Sequence, residues 1–129
     1  MSIKLIFGSL LLFIPFVSYA VEYDCQVEQK FTPEGIYTAE EIKKGQFSVR
    51  VEEGLEGAFL SRCSYANSVG KVTCDRYKID KVATGKYVKI KKFYVFESQF
   101  DVQLFLNMEF VENNGRGGIS FGKCKVKAP

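Results

Sequence analysis

DVQLFLNMEFV, residues 101–111, is the most regular stretch of the chain. Its apolar side chains share one face and its polar side chains share the other: Val102, Leu104, Leu106, Met108 and Phe110 against Asp101, Gln103, Asn107 and Glu109. Phe105 interrupts the polar face. Because successive side chains of a strand point to opposite faces, this alternation predicts a half-buried β-strand.

Shorter segments with the same period lie on both sides of it. They cover residues 22–31, 46–52, 58–65, 71–80, 87–96 and 119–127. Gly, Asn, Pro and Ser punctuate them roughly every ten residues, which is typical of a sandwich or barrel. We therefore expect an all-β fold, a small antiparallel β-barrel or β-sandwich of about seven or eight strands. Thr38 and Glu41 form a capping-box pattern that predicts one short helix near residues 38–44.

The first twenty residues have the pattern of a secretory signal peptide. Lys4 precedes an apolar run over residues 5–17, and Ser18-Tyr19-Ala20 supplies small residues at a cleavage site. The run is shorter than the roughly 20 residues that a membrane-spanning helix needs. We predict a signal peptide over residues 1–20, a single all-β domain over 21–129, no transmembrane segment, and a periplasmic or secreted location.

Four cysteines, an even number in an exported chain, predict two disulfides. Cys63 and Cys74 lie symmetrically about the turn near Ser68, while Cys25 and Cys124 lie on the first and last strands. We expect the pairs Cys25–Cys124 and Cys63–Cys74, with crossed pairing left open. A zinc site is disfavoured because the cysteines form no close pair.

The composition argues against several function classes. No histidine is present, which removes the commonest general base and zinc ligand. The net charge of +3 is too small to favour nucleic-acid binding. The doublets Glu40-Glu41 and Glu52-Glu53 do not form catalytic dyads, because neighbouring side chains diverge. We expect no catalytic residue, metal or cofactor, and a monomer.

The glycine-rich tip over residues 113–118 is the first candidate partner-binding segment. Asn113 and Asn114 offer amide groups and Arg116 offers a forked cation. The alternative is a hairpin turn in which Asn and Gly serve only the backbone.

Lysines supply the second candidate surface. Lys123 and Lys125 alternate with Lys127 on the last strand, and four more lysines lie at positions 86, 89, 91 and 92. If the two strands are neighbours, a basic stripe results that suits an acidic protein, an anionic lipid surface or a polyanion. The alternative is that these lysines protect strand edges from aggregation. A set of aromatic residues could form an exposed platform for sugar or protein recognition, although core packing is the default interpretation: Tyr65, Tyr77, Tyr87, Tyr94 and Phe105.

The early Tyr23-x-Cys25, the compact β domain and the late Cys124, behind a signal peptide, resemble the layout of periplasmic lysozyme inhibitors of the small β-barrel type. The resemblance covers architecture alone and assigns no site residue.

Three functions remain open from the sequence. We favour an exported, non-catalytic binding protein, an inhibitor or immunity-type module with a protein partner. One alternative is a carrier of a small lipophilic ligand, which requires a closed barrel with an apolar cavity. The other is a hydrolase that uses two carboxylates in one cleft.

Overall fold

A computed structural model describes residues 21–127; the predicted signal peptide lies outside the described residues. The described chain contains ten strands and one helix in the order β1 Val21–Thr32, β2 Gly35–Ile36, α1 Ala39–Gly45, β3 Ser48–Gly54, β4 Gly57–Ala66, β5 Lys71–Lys78, β6 Lys81–Thr84, β7 Lys91–Val95, β8 Phe100–Leu104, β9 Glu109–Asn113 and β10 Ile119–Lys127. The fold is mostly β, as the alternating pattern predicts.

All strands belong to one curled antiparallel sheet. Nine follow the order β5-β4-β3-β1-β10-β9-β8-β7-β6, and β2 pairs with β1 beside this path. The sheet is a half-barrel, so the prediction of a closed barrel or a two-sheet sandwich was wrong. Its edge strands β5 and β6 are joined by Ile79 and Asp80, whose amides donate to Ala58 on β4 and Tyr94 on β7. The connection thus pairs with the strand next to each edge.

The predicted count of seven or eight strands was also wrong, partly because residues 101–111 form two strands. β8 ends at Leu104 and β9 begins at Glu109. Between them Met108 takes a positive φ of 68°, and the Asn107 side chain accepts from the Glu109 amide at 3.1 Å. Leu106, expected in the core, is exposed in this turn. The short strands β2 and β6 had no separate sequence signal.

The concave face of the half-barrel holds the core. Val102, Leu104 and Phe110 are buried there, as the alternation of residues 101–111 predicts. The largest fully buried side chains come from strands all along the curl: Phe93, Phe110, Leu60, Val49, Val51, Val102 and Cys25.

Both predicted disulfides are confirmed. Cys25 faces Cys124 across β1 and β10, and Cys63 faces Cys74 across β4 and β5. The bridges staple neighbouring strands and span sequence separations of 99 and 11 residues. Two disulfides indicate an oxidising environment.

The predicted helix is present as α1. The Thr38 hydroxyl accepts from the Glu41 amide at 3.1 Å, and the Glu41 carboxylate accepts from the Thr38 amide at 3.1 Å. This reciprocal capping satisfies two donors that the helix itself cannot pair. Within residues 21–127, no helix is both long and apolar enough to cross a bilayer.

Candidate functional site

A polar row crosses the concave face near one end of the half-barrel. Lys30 on β1 faces Ser120 on β10, and Ser120 faces Glu112 on β9. A bulge in β1 causes this placement: Val27 pairs with Gly122 and Gln29 with Phe121, so Glu28 is an extra residue. An extra residue reverses the alternation that follows it, and Lys30 turns inward.

Glu112 is bound across the interior by an arginine. Its Oε1 lies 2.7 Å from Nη2 of Arg62 on β4, which is separated from β9 by β3, β1 and β10 along the sheet. Only 5% of Glu112 is exposed. The guanidinium carbon of Arg62 also lies 5.0 Å from the centre of the Phe100 ring. The ion pair therefore ties the two halves of the curled sheet together.

Lys30 is half-buried beside this pair and is held by aromatic rings. Its Nζ lies 4.0 Å from the centre of the Phe47 ring and 5.3 Å from that of Tyr37. No carboxylate of the described residues comes within 4.0 Å of it. Burial lowers the pKa of Lys30 below its usual 10.5; Glu112 opposes the shift and Arg62 adds to it.

These side chains line an open cleft of about 210 Å³. We call it the Lys30 cleft. Its other polar walls are Ser48, Ser64 and Asp75, and Val27, Phe47 and Val49 supply apolar wall. Asp75 is exposed, whereas Glu112 and Ser120 are buried. The cleft can hold a small polar group but not a molecule of drug size, for which about 300–1,000 Å³ is usual.

The predicted Asn113–Gly118 tip lies at the end of β9, immediately after Glu112. Its asparagines serve the turn: Asn113 Oδ1 accepts from the Gly115 amide at 2.9 Å, and Asn114 Oδ1 accepts from the Arg116 and Gly118 amides at 2.7 and 2.9 Å. Arg116 is exposed.

Lys123 and Lys125 lie on the outer face of β10. Lys123 is opposite Glu109 on β9, and Lys125 is opposite Asp24 on β1. Strands β9 and β8 separate β10 from β7, so the basic stripe predicted for neighbouring strands does not form. Acidic residues interrupt the positive surface around Lys123 and Lys125.

A second surface surrounds the loop between β6 and β7, residues 85–90, which we call the 85–90 loop. Tyr87 is 90% exposed and Val88 is 63% exposed at its tip, between Lys86 and Lys89. Residues 76–92 carry seven cationic side chains and one acidic one, Asp80. The Asp80 carboxylate accepts from the Phe96 amide at 2.7 Å. This part of the chain is therefore strongly basic, although the whole protein is close to neutral.

The 85–90 loop and the Asn113–Gly118 tip lie at opposite ends of the sheet. β7 and β9 are both antiparallel to β8, so they run in the same direction. The loop precedes β7, whereas the tip follows β9. A partner that covers one of them leaves the other available as a control site.

Among the residues that the structure describes, no cluster of three potential metal ligands occurs. The sequence interpretation missed Lys30, Arg62 and Glu112. Comparison of the chain with protein-family models, with curated proteins and with solved structures gives no match. The resemblance to periplasmic lysozyme inhibitors stays one of layout.

Proposed function

We propose that this protein is an exported, non-catalytic protein-binding module, of the inhibitor or immunity type, that acts in the periplasm or outside the cell. The observation that carries the proposal is the 85–90 loop, with its exposed Tyr87-Val88 pair between two lysines. Isolated apolar residues are common on protein surfaces, but a tyrosine at 90% exposure on a basic loop has the composition of a binding anchor.

The partner surface is acidic. Lys78, Lys81, Lys86, Lys89 and Lys92 make no ion pair among the described residues, whereas Arg76 and Lys91 bind Glu52 and Glu53. An uncompensated positive patch accelerates encounter with a negative surface and disfavours other partners. Tyr87 then supplies contact area at low entropic cost, since it has few rotatable bonds.

The stapled half-barrel is suited to this role. The buried side chains of Phe93 and Val95 fix β7, which carries the loop, and the disulfides staple other strands of the same sheet. Rigid presentation reduces the ordering cost of binding. A carrier of lipophilic ligands requires a closed barrel, whereas residues 21–127 form a half-barrel.

The test is affinity capture from periplasmic and culture-fluid extracts. The bait is the oxidised protein, expressed from its full-length sequence by export. Three baits are compared: wild type, Tyr87→Ala/Val88→Ser, and Arg116→Ala at the opposite end of the sheet. We expect one acidic protein that the wild type and Arg116→Ala retain and that the double variant loses.

Three results would count against the proposal or against the loop as its contact. Capture of no protein would remove the protein-binding function. Equal capture by the wild type and the loop variant would remove the loop as the contact, and loss with Arg116→Ala alone would assign the contact to the Asn113–Gly118 tip.

One observation keeps a hydrolase as a second candidate. Asp75 and Glu112 line the same cleft, which the paired-carboxylate hypothesis requires. Arg62 occupies one oxygen of Glu112, and Asp75 stands at the exposed margin. Hydrolysis of glycan or ester substrates that Asp75→Asn abolishes would support this candidate; unchanged hydrolysis in Asp75→Asn would remove it.

A further inference from the structure

We propose that the Lys30 cleft is a binding site for a single carboxylate group, which Lys30 and Arg62 receive together. The inference is independent of the protein-binding proposal, because the 85–90 loop lies at the other end of the sheet. The ligand group is a carboxylate, whether it belongs to a small free acid or to an acidic side chain of another protein.

The charge balance of the cleft is the first argument. Its inner part holds two cations, Lys30 and Arg62, and one acid, Glu112, which is already bound to Arg62 at 2.7 Å. Asp75 is exposed, so water and salt screen its charge. One positive charge is left without a counterion in a half-buried position, and a monoanion would neutralise it.

The state of Lys30 is the second argument. A partly desolvated ammonium is costly unless an anion or hydrogen-bond acceptors compensate it. Phe47 and Tyr37 give it cation–π contacts, which compensate part of that cost. The lowered pKa of Lys30 agrees with an ammonium that lacks a compensating anion.

The shape of the cleft is the third argument. A volume of about 210 Å³ admits a group of a few atoms and not an extended ligand. The hydroxyl of Ser120 lies between Lys30 and Glu112 in the row and can donate to a carboxylate oxygen. Arg62 is held in place by Glu112, so its remaining donors are pre-organised for a planar acceptor.

The test is a titration of the isotope-labelled, oxidised protein with sodium acetate, followed by amide and guanidinium NMR shifts. Sodium chloride at equal ionic strength is the control titration. A slightly acidic buffer favours the ammonium form of Lys30. We expect saturable shifts at Lys30, Arg62 and Ser120 with acetate, and none of them with chloride.

Three variants locate the site. Lys30→Met keeps the aliphatic stem and should weaken acetate binding at least about tenfold, the loss expected for one charge-assisted hydrogen bond. Lys30→Arg keeps the charge and should retain binding. Lys123→Met, on the outer face of β10, should bind acetate as the wild type does. Thermal unfolding of each variant shows that it is folded.

A second arm identifies the source of the group. A blocked Gly-Glu-Gly peptide is titrated beside acetate, with Gly-Gln-Gly as its neutral control. Tighter binding of the glutamate peptide than of acetate assigns the site to a protein side chain, and tighter binding of acetate assigns it to a small acid. Absence of saturation by either acid, equal shifts with chloride, or unchanged binding in Lys30→Met would overturn the proposal.

Discussion

At the scale of the residue, Glu112 is a buried carboxylate whose ion pair with Arg62 crosses the interior of the sheet. It is buried and its partner Arg62 is 29% exposed at the side chain, so the pair is only partly shielded from water. Removing one member of such a pair leaves the other without compensation. The structural role of Glu112 can therefore be measured through stability.

Glu112→Gln should lower the free energy of unfolding by about 2 kcal/mol, less than for a fully buried pair because Arg62 can reach solvent. Urea unfolding measures this change. Glu109→Gln, on the outer face of the same strand, is the matched control and should change stability by less than about 0.5 kcal/mol. Equal effects of the two substitutions would contradict the structural role of the Arg62–Glu112 pair.

Lys30 should give the protein a distinct pH dependence. Because burial lowers its pKa in the folded state, the unfolded state binds more protons in the range below 10.5. The contribution of Lys30 to the free energy of unfolding therefore rises as the pH increases toward 10.5. Arg62, Glu112 and Tyr37 lie around it, and Asp75 stands at the exposed margin of the same cleft.

The measurement is urea unfolding of the wild type and of Lys30→Met at several pH values from about pH 8 upward. We expect the stability difference, wild type minus variant, to increase with pH. Lys123→Met controls for the loss of an exposed lysine. A difference that is constant or decreases with pH would show that Lys30 is not desolvated.

The inward orientation of two residues of the Lys30 cleft was not predicted from the sequence. Glu112 follows Phe110 at a spacing of two, so continued alternation would have turned it inward; an acidic residue at the end of a strand was not expected to face the core. The alternation around Lys30 does not indicate that its side chain points inward. Its orientation depends on the bulge at Glu28, and a bulge reverses every later side chain of the strand without a mark in the pattern.

At the scale of the element, the Asn113–Gly118 tip depends on a close approach of backbone to backbone. Gly115 has a φ of 74°, and a Cβ there would meet the carbonyl oxygen of Gln99. Gly70, in the turn between β4 and β5, has nearly the same φ of 72° but has open space around it. The two glycines separate conformational strain from steric overlap.

Gly70→Ala should destabilise the protein by about 1 kcal/mol through backbone strain alone. Gly115→Ala should cost about 3 kcal/mol, because a backbone carbonyl cannot move aside as a flexible side chain can. Thermal or urea unfolding measures both. Equal losses would contradict the packing of the tip against Gln99.

The elements were predicted with uneven success for identifiable reasons. β10 and the helix α1 agree with the sequence because Gly and Thr mark their ends and the pattern between is regular. Residues 101–111 were wrongly predicted to form a single strand, because Leu106 continues the apolar alternation while Asn107 forms a turn. A turn that contains apolar residues leaves no break in the hydrophobic pattern.

At the scale of the whole molecule, the two disulfides close loops of very different length. Chain-entropy arithmetic gives about 4.7 kcal/mol for the bridge between Cys25 and Cys124 and about 3 kcal/mol for that between Cys63 and Cys74. Both bridges pair residues directly opposite each other on neighbouring strands. Their difference should therefore follow loop length.

Cys25→Ala/Cys124→Ala should lose more stability than Cys63→Ala/Cys74→Ala, by about 1–2 kcal/mol. Urea unfolding of the oxidised variants measures the difference. A larger loss from the short-loop pair would show that local packing, and not chain entropy, dominates the contribution of these bridges.

The architecture of the sheet was the least predictable property. The alternation of apolar and polar residues shows whether one or both faces of a strand are buried. It does not show which strands are neighbours or whether the two edges of the sheet pair. Lys123 and the lysines of β7 were expected to meet if their strands were adjacent, and two strands separate them. The contact between Arg62 and Glu112, fifty residues apart in sequence, exists only because the sheet curls.

Charge is distributed unevenly over the molecule. Residues 76–92 carry seven of the cationic side chains and one acid, whereas the other residues of 21–127 carry ten cations and fourteen acids. This uneven distribution gives the molecule an electric dipole, which orients its basic segment toward an acidic surface. The 85–90 loop lies on that basic segment. The proposed function requires that this loop contacts another protein.

Site-directed photo-crosslinking in cells detects such a contact. A photoreactive phenylalanine analogue replaces Tyr87 in one version of the full-length protein and Arg116 in another, each version is expressed in cells, and the cells are irradiated. We predict a discrete heavier adduct from position 87 and none from position 116. No adduct from position 87, or an adduct from position 116 alone, would contradict it.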